Sequence, residues 1–371
     1  MKIIICLNTA WNLLNFRAGL IRALVAQRHE VVAVAPPDEY AARLADLGCR
    51  FVPLPMDNQG THPVRDALLF WRFLKLFLRE RPDVYLGYTV KPNVYGSLAA
   101  HFMGVKVINN IAGLGAVFIH DGWLVKLVRL LYRLALKKSV KVFFQNDDDR
   151  ALFIAGGLVR AQATGLLPGS GIDLLRFAPA PLRSDKTPRF RFLLIARMLR
   201  DKGVQEYVEA AQILRKRWPH VECCLLGFLD VQNPAAISSE QMTTWVQQGF
   251  VNYLGVSDDV RSHIADADCV VLPSYREGTP RTLLEAAAMG RPIVTTDAVG
   301  CREVVEDGLN GFLCKLRDAT DLADKMEHML KLSVEQRLQM GAYGRRKMEL
   351  EFAEQLVIDQ YLAALDGITA P

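Results

Sequence analysis

Two glutamates in the second half of the chain lie close to the predicted start of a helix, where their carboxylates could accept hydrogen bonds from hydroxyl groups. Glu277 and Glu285 flank the point where an apolar run over 268–273, which predicts a buried parallel strand, gives way to a predicted helix. We expect Thr279 to cap this helix and Pro280 to occupy its first position. The N–H groups at the start of such a helix bind phosphate or diphosphate, so the two carboxylates would flank an anion site.

The spacing from Glu277 to Glu285 resembles the E-x7-E signature of retaining glycosyltransferases, in particular the family 4 enzymes of the two-domain GT-B fold. In that family the first glutamate contacts the donor sugar and the second contacts the ribose hydroxyls. Arg197 and Lys202 resemble the R-x4-K-G element, whose basic side chains neutralise the donor diphosphate. The resemblance implies these further donor-binding residues: Asn252, Tyr253, Leu254, Gly278, Thr279, Pro280, Arg281 and Thr282.

Three loops in the first half of the chain supply candidate acceptor-binding residues, because each follows an apolar strand-like run. Residues 8–17 lack the G-x-G-x-x-G dinucleotide fingerprint, which argues against a dehydrogenase. They resemble a loop of bacterial family 4 enzymes with lipid-linked acceptors, so Arg17 would hold an acceptor phosphate or, alternatively, be an exposed charge on the first helix. The other two loops resemble those of enzymes that glycosylate polyprenyl-diphosphate-linked saccharides, and their candidates are Lys91, Asn93 and Asn110.

His120 completes the candidate catalytic residues, with Glu277, Arg197 and Lys202. It follows a predicted strand and several glycines. Many family members place a histidine of the first domain close to the donor sugar.

Composition indicates a globular protein without a membrane span. Of the 371 residues 51% are apolar and 23% are charged, with no apolar run of 18 residues, and the first residues predict a strand rather than a signal peptide. We therefore expect a cytoplasmic protein. Seven cysteines without a C-x-x-C pair predict reduced thiols.

The positive charge is concentrated in the first half of the chain. Residues 1–170 hold 21 basic and 12 acidic side chains, and no acidic residue lies between Gly122 and Asn146. Basic residues recur at helical spacing over 123–141, and 67–78 is rich in Leu, Phe and Trp. Either segment could bind the anionic inner membrane peripherally from its cytoplasmic face, or be a core helix with a solvated face. No nucleic-acid motif accompanies the charge.

The run Asp147-Asp148-Asp149 could suggest a metal site of the D-x-D kind. Because it follows Asn146 directly after a predicted strand, we interpret it instead as a capped helix start with acids at the positive end of the dipole. The GT-B resemblance also implies no catalytic metal, and we expect no cofactor.

The fold class predicted is α/β, a GT-B arrangement of two Rossmann-like domains facing a cleft. The expected divisions are an acceptor domain over 1–177, a linker over 178–188, a donor domain over 189–350 and a C-terminal helix over 351–371 that packs back on the first domain. The function implied is retaining, metal-independent transfer of an N-acetylhexosamine or hexose from a UDP-sugar to a polyprenyl-diphosphate-linked saccharide. A UDP-sugar epimerase of the same fold and a non-catalytic nucleotide-sugar-binding protein are the alternatives.

Overall fold

The computed structural model describes residues 1–57, 62–113, 123–181, 189–231 and 233–369. These form two compact units, one of Met1–Ser170 with the helix that starts at Glu354, the other of Gly171–Ala353. The segment 171–177, which we assigned from the sequence to the first domain, therefore groups with the second unit. His120 and most of the predicted linker, 182–188, lie outside the described residues.

The first unit is built on a seven-stranded parallel sheet. Its strands are buried on both faces, which is why they appear in the sequence as continuous apolar runs rather than as alternating patterns. The spatial order is β3-β2-β1-β4-β5-β6-β7. The strands are β1 (Lys2–Cys6), β2 (Glu30–Ala35), β3 (Arg50–Pro53), β4 (Val84–Tyr88), β5 (Lys106–Ile111), β6 (Lys141–Phe144) and β7 (Thr164–Leu166).

Helices cover both faces of this sheet, and two differ from the prediction. The first helix, on which the sequence analysis placed Arg17, is broken at that residue, whose φ of −133° is not helical, so that two helices form. The basic helix ends at Leu136, and Lys141 lies in β6 instead. The helices are α1 (Ala10–Phe16), α2 (Ala18–Ala26), α3 (Pro63–Glu80), α4 (Ser97–Phe102), α5 (Trp123–Leu136) and α6 (Asp147–Ala155), with 3-10 turns at Ala41–Leu47 and Ala161–Ala163 and a π turn at Pro92–Gly96.

The second unit is a six-stranded parallel sheet with the order β10-β9-β8-β11-β12-β13. Its strands are β8 (Phe190–Ile195), β9 (Val221–Leu226), β10 (Asn252–Tyr253), β11 (Cys269–Leu272), β12 (Ile293–Thr296) and β13 (Gly311–Cys314). Its helices are α7 (Val204–Arg217), α8 (Ser239–Gln247), α9 (Arg261–Ala265), α10 (Arg281–Ala288), α11 (Ala319–Lys331) and α12 (Val334–Glu351), with a 3-10 turn at Arg200–Lys202.

The last helix, α13 (Glu354–Thr369), belongs to the first unit. Its residues Val357, Ile358, Tyr361 and Leu365 are buried in the same core as β1 and α2. The first unit is thus assembled from the two ends of the chain.

Strand order shows where each unit would bind a ligand. The order reverses between β1 and β4 in the first unit and between β8 and β11 in the second. Helices leave the sheet on opposite faces at such a point, and ligands bind beyond the carboxyl ends of the two strands. The loops after β1 and β4, and those after β8 and β11, are therefore the places to look for a site.

Candidate active site

An ion pair between Lys202 and Glu277 lies at the reversal point of the second unit. The 3-10 turn after β8 carries Lys202, and the loop after β11 carries Glu277, whose Oε1 accepts from the Lys202 ammonium. Their side chains are 20% and 14% exposed, so both can reach a ligand without being fully hydrated. A cation in that position can bind a diphosphate, and the carboxylate can accept a hydrogen bond from a sugar hydroxyl.

The backbone of the Glu277 loop is held from two sides. Ser274 Oγ and the Tyr275 amide both donate to the Asp201 carbonyl, at 3.1 and 3.0 Å. The Glu277 amide donates to the Val299 carbonyl at 2.9 Å. Because these bonds come from the loops after β8 and β12, the Glu277 carboxylate is placed by neighbouring strands rather than by its own segment.

Two glycines let those loops approach. Gly203 has φ +71° and a Cβ there would overlap the Pro273 carbonyl. Gly300 has φ +87°, and a Cβ would overlap the carbonyl oxygens of Glu277 and Gly278. Both the left-handed conformation and the lack of space require glycine. Gly203 is the glycine of the R-x4-K-G element identified in the sequence, whereas sequence reasoning did not assign Gly300 to the site.

Cys301, also missed from the sequence, lies next to this ion pair. Burial raises the pKa of its thiol to about 12, and the Glu277 carboxylate adds to the effect. A thiol so held stays protonated, so Cys301 is not a nucleophile at neutral pH.

Helix α10 begins one residue later than predicted. Pro280 is its N-cap, with φ −73° and ψ 113°, and Arg281 is the first helical residue. Thr279, expected to be the cap, precedes that position. Proline already has a suitable φ for the turn and no N–H to leave unpaired, which explains why it is tolerated there. The helix still starts beside the Glu277 loop.

Glu285 is the most buried member of the group. Its carboxylate accepts from Arg281 Nε at 3.0 Å, and Arg281 Nη1 donates to the Gly171 carbonyl at 3.3 Å. Burial raises the pKa of the Glu285 carboxyl, and the adjacent Arg281 guanidinium counteracts part of that rise. One arginine therefore orients the carboxylate and favours its ionised form.

The other residues predicted to bind the sugar donor do not all lie beside the Lys202–Glu277 pair. Arg197 follows β8 at the same edge and its side chain is exposed. Tyr253 donates its hydroxyl to the Gly227 carbonyl at 2.8 Å, and Leu254 is 39% exposed beyond β10. Asn252 instead lines a cavity with Arg189 and His220, beside the amino end of β9. Thr282 is half-buried in the first turn of α10.

In the first unit, Arg17 and Asn110 lie at the carboxyl edge of the sheet and are buried. Arg17 is 4% exposed, so its alternative interpretation as an exposed charge is wrong. Its guanidinium lies 4.4 Å above the Tyr88 ring. Asn110 Nδ2 donates to the Tyr361 hydroxyl at 3.1 Å, which joins β5 to α13.

Lys91 and Asn93 have intramolecular partners. Lys91 forms an ion pair with Asp66 of α3 at 2.9 Å. Asn93 is 1% exposed, donates to the Asn110 carbonyl at 2.8 Å and accepts from Asn109 at 2.9 Å. In the structure these two side chains hold the loop after β4 against its neighbours.

The structure confirms two sequence-based interpretations away from the site. Asn146 caps α6 by accepting from the Asp149 amide at 2.8 Å, as expected of a helix start. All seven cysteines are buried free thiols. Within the described ranges no cluster of His, Cys, Asp or Glu could hold a metal ion, and no helix there is long and apolar enough to cross a membrane.

The chain matches two glycosyltransferase families in succession. Residues 16–169 match the family described as glycosyl transferase 4-like domain, and residues 189–332 match glycosyl transferases group 1. Over 370 residues the chain is 30% identical to N,N'-diacetylbacillosaminyl-diphospho-undecaprenol alpha-1,3-N-acetylgalactosaminyltransferase of Campylobacter jejuni, with 95% of each chain covered. The chain is a group 1 glycosyltransferase.

Further similarities agree with this family. The glycosyltransferase is 25% identical over 283 residues to the UDP-Gal:alpha-D-GlcNAc-diphosphoundecaprenol alpha-1,3-galactosyltransferase of Escherichia coli, covering 72% of this chain and 71% of that one. It superimposes on HepE of Anabaena, solved with UDP and glucose, with a TM-score of 0.78 at 20% identity over 99% of both chains. The GT-B fold and the family predicted from the E-x7-E spacing are thereby confirmed.

Proposed function

We propose that this glycosyltransferase transfers a sugar, an N-acetylhexosamine or hexose, from a UDP-sugar to a polyprenyl-diphosphate-linked saccharide. The observation that carries the proposal is the Lys202–Glu277 pair beside the start of α10, at the edge where β8 and β11 end. The 30% identity over the whole chain to the Campylobacter enzyme, whose name states such an acceptor, supports the choice of acceptor class.

In this proposal Lys202, Arg197 and the first amides of α10 take up the charge of the departing diphosphate in place of a metal. Glu277 accepts from the donor sugar and Glu285 from the ribose. The anomeric configuration is retained by front-side displacement, in which the leaving phosphate helps to take the acceptor proton. A glycosyl ester trapped on Glu277 would contradict that mechanism.

The deciding experiment measures UDP or GDP release from a panel of nucleotide sugars in EDTA, with and without a prenyl-diphosphate-linked sugar. We expect release from one UDP-sugar, and only with the lipid-linked acceptor present. An altered sugar without nucleotide release would favour the epimerase. Tight binding of a nucleotide sugar, with neither reaction in the presence of any acceptor, would favour a sugar-nucleotide sensor.

We also propose that the first unit binds the anionic cytoplasmic leaflet of the inner membrane peripherally. Helices α3, α4 and α5 pack side by side, and α3 exposes Val64, Leu68, Trp71 and Leu78 while both of its acidic residues are buried. Helix α5 exposes three leucines among its basic residues. Apolar side chains surrounded by positive charge match an anionic lipid surface.

Vesicle sedimentation tests this contact. The double substitution Lys126→Glu and Arg129→Glu should weaken binding to phosphatidylglycerol vesicles by roughly 30-fold or more, since each basic side chain near the surface contributes about 1 kcal/mol. Arg215→Glu with Lys216→Glu makes the same charge change on α7 of the second unit. Equal losses from both pairs would show a general charge effect and contradict a surface on α5.

A further inference from the structure

Arg17 is a buried cation. It is 4% exposed, and within the described residues no carboxylate lies within ion-pair distance of it. Its Nη1 donates to the Phe16 carbonyl at 2.9 Å, while Nε has no acceptor in the part of the chain that the structure describes. Burying a charge without an opposite charge is unfavourable, so a fold that keeps one has an anion to bind there.

Two further polar atoms beside Arg17 are also unsatisfied. The Tyr88 hydroxyl, below the guanidinium, lies near the Tyr361 hydroxyl without a hydrogen bond of good geometry, and Asn110 Oδ1 has no hydrogen-bond partner among the described residues. Tyr88 and Asn110 are 1% and 0% exposed. The group therefore has two unused donors, Arg17 Nε–H and the Tyr88 O–H, and one unused acceptor. Buried polar groups are nearly always paired, so this combination describes the missing ligand.

The unsatisfied atoms specify a ligand with anionic oxygens next to an O–H or N–H group. Phosphoryl oxygens would accept from Arg17 and Tyr88, and a sugar hydroxyl or N-acetyl N–H would donate to Asn110 Oδ1. At neutral pH a free phosphate keeps at least one O–H group, so a free phosphate and a glycosyl diphosphate both supply the two features. The KM for a prenyl-diphosphate-linked sugar, measured below, distinguishes the two ligands.

The position of the group agrees with a ligand site. Arg17 follows α1 in the connection after β1, Tyr88 ends β4, and Asn110 is next to the end of β5. These strands meet around the point where strand order reverses, the edge at which open parallel sheets bind ligands.

We propose that Arg17, Tyr88 and Asn110 bind the diphosphate and first sugar of the acceptor, and that Tyr361 of α13 positions Asn110. This deepens the proposed function and rests on it for the identity of the acceptor. The Tyr361 hydroxyl accepts a hydrogen bond from Asn110 Nδ2 at 3.1 Å, which leaves Oδ1 of that amide to bind the ligand. The C-terminal helix thus contributes to acceptor binding as well as to the core.

Calorimetry with pyrophosphate tests the anion site on the full-length chain, with UDP in excess to fill the donor site. Wild type should bind pyrophosphate, and Arg17→Gln should weaken that binding by about tenfold or more, as expected for a lost charge-assisted hydrogen bond. Arg17→Lys keeps the charge and lacks the Nε–H, so its pyrophosphate affinity should lie between those of the wild type and Arg17→Gln. Arg22→Gln removes an exposed charge from α2 and should change nothing. Unchanged pyrophosphate affinity in Arg17→Gln overturns the proposal.

Two readouts separate this role from a structural one. Without ligand, Arg17→Gln should be at least as thermally stable as wild type, because it removes an uncompensated buried charge; a marked loss of stability with unchanged affinity would indicate a structural arginine. Tyr361→Phe should raise the KM for a prenyl-diphosphate-linked sugar with little change in kcat and none in UDP affinity. An unchanged acceptor KM would exclude Tyr361.

These experiments also separate the site from the overall function. If wild type transfers no sugar to any lipid-linked acceptor while pyrophosphate binding still depends on Arg17, the acceptor class is wrong and the anion site stands. If transfer occurs and pyrophosphate affinity does not depend on Arg17, the proposed function stands and the proposed anion site is wrong.

Discussion

Lys202 and Glu277 neutralise each other in the structure, so a bound diphosphate must compete with Glu277 for the ammonium. The two residues are 75 positions apart, and neither is paired with a neighbour in sequence. A donor that brings both a diphosphate and a sugar hydroxyl gives each of them a new partner at once. This mutual exchange favours a nucleotide sugar over a simple phosphate ester.

Replacing Lys202 by Ala should lower kcat/KM for transfer about ten- to a hundredfold, because a charge-assisted hydrogen bond to the leaving group contributes about 1.5–3 kcal/mol. Steady-state kinetics in EDTA measure this. Arg200→Ala removes an exposed charge from the same 3-10 turn and should have little effect. Full activity in Lys202→Ala would refute the diphosphate assignment.

Arg281→Gln should move the acidic limb of the kcat/KM profile for the donor to higher pH. Burial raises the pKa of the Glu285 carboxyl and Arg281 lowers it, so removing the guanidinium raises that pKa further. Since Glu285 must be ionised to accept from the ribose, donor binding is then lost at a higher pH as the solution is acidified. Arg281→Lys should restore part of the difference. If the pH profiles of kcat/KM for Arg281→Gln and the wild type superimpose, Arg281 does not control the ionisation of Glu285.

At the level of elements, the site depends on how closely three strand-to-helix loops approach one another. The loop after β11 is bonded to Asp201 after β8 and to Val299 after β12. Gly203 and Gly300 provide the space for these contacts. The position of Glu277 is therefore sensitive to changes in the loops after β8 and β12 as well as in its own loop.

Gly300→Ala should lower kcat/KM at least about tenfold, because the added methyl group displaces the backbone of Glu277 and Gly278. Gly308→Ala is the matched control, since Gly308 has φ +80° with nothing within 4 Å of the added carbon. Both variants carry backbone strain on the order of 1 kcal/mol, measurable as a lower melting temperature. Similar kinetic losses in the two would show that strain, rather than the clash, is responsible.

For the whole molecule, each unit has its own hydrophobic core. Helix α13 contributes to the first core, so residues from both ends of the chain stabilise one unit. The core of the second unit is formed by residues between them. Unfolding of the two units can then be separated, and a single melting temperature is not expected to describe both.

Leu365→Ala should destabilise the first unit by about 2–5 kcal/mol, because Leu365 is 1% exposed within that core. Hydrogen exchange should show the loss of protection confined to residues 1–170 and α13, with UDP affinity unchanged. Leu356→Ala, on the same helix but 38% exposed, should cost less than about 0.5 kcal/mol. Equal deprotection of both units would contradict independent cores.

Much of the fold followed from local patterns. Continuous apolar runs identified strands, and Asn146 before three aspartates identified the start of α6, because burial and capping are decided by near neighbours in sequence. The break between α1 and α2 at Arg17 could not be seen this way. The apolar positions of both helices continue in one helical register, and the change of direction depends on packing.

The sequence by itself indicated the α/β class, the family and the candidate residues Glu277, Glu285, Arg197 and Lys202, since strand and helix periodicity and the E-x7-E spacing are local properties. Only the tertiary structure decided the partners of the charged residues. It paired Lys202 with Glu277 and Lys91 with Asp66, and it buried Arg17 against Tyr88 with no carboxylate of the described residues as its partner. Such pairings depend on strand order, which brings together loops far apart in sequence, and spacing along the chain does not encode that order.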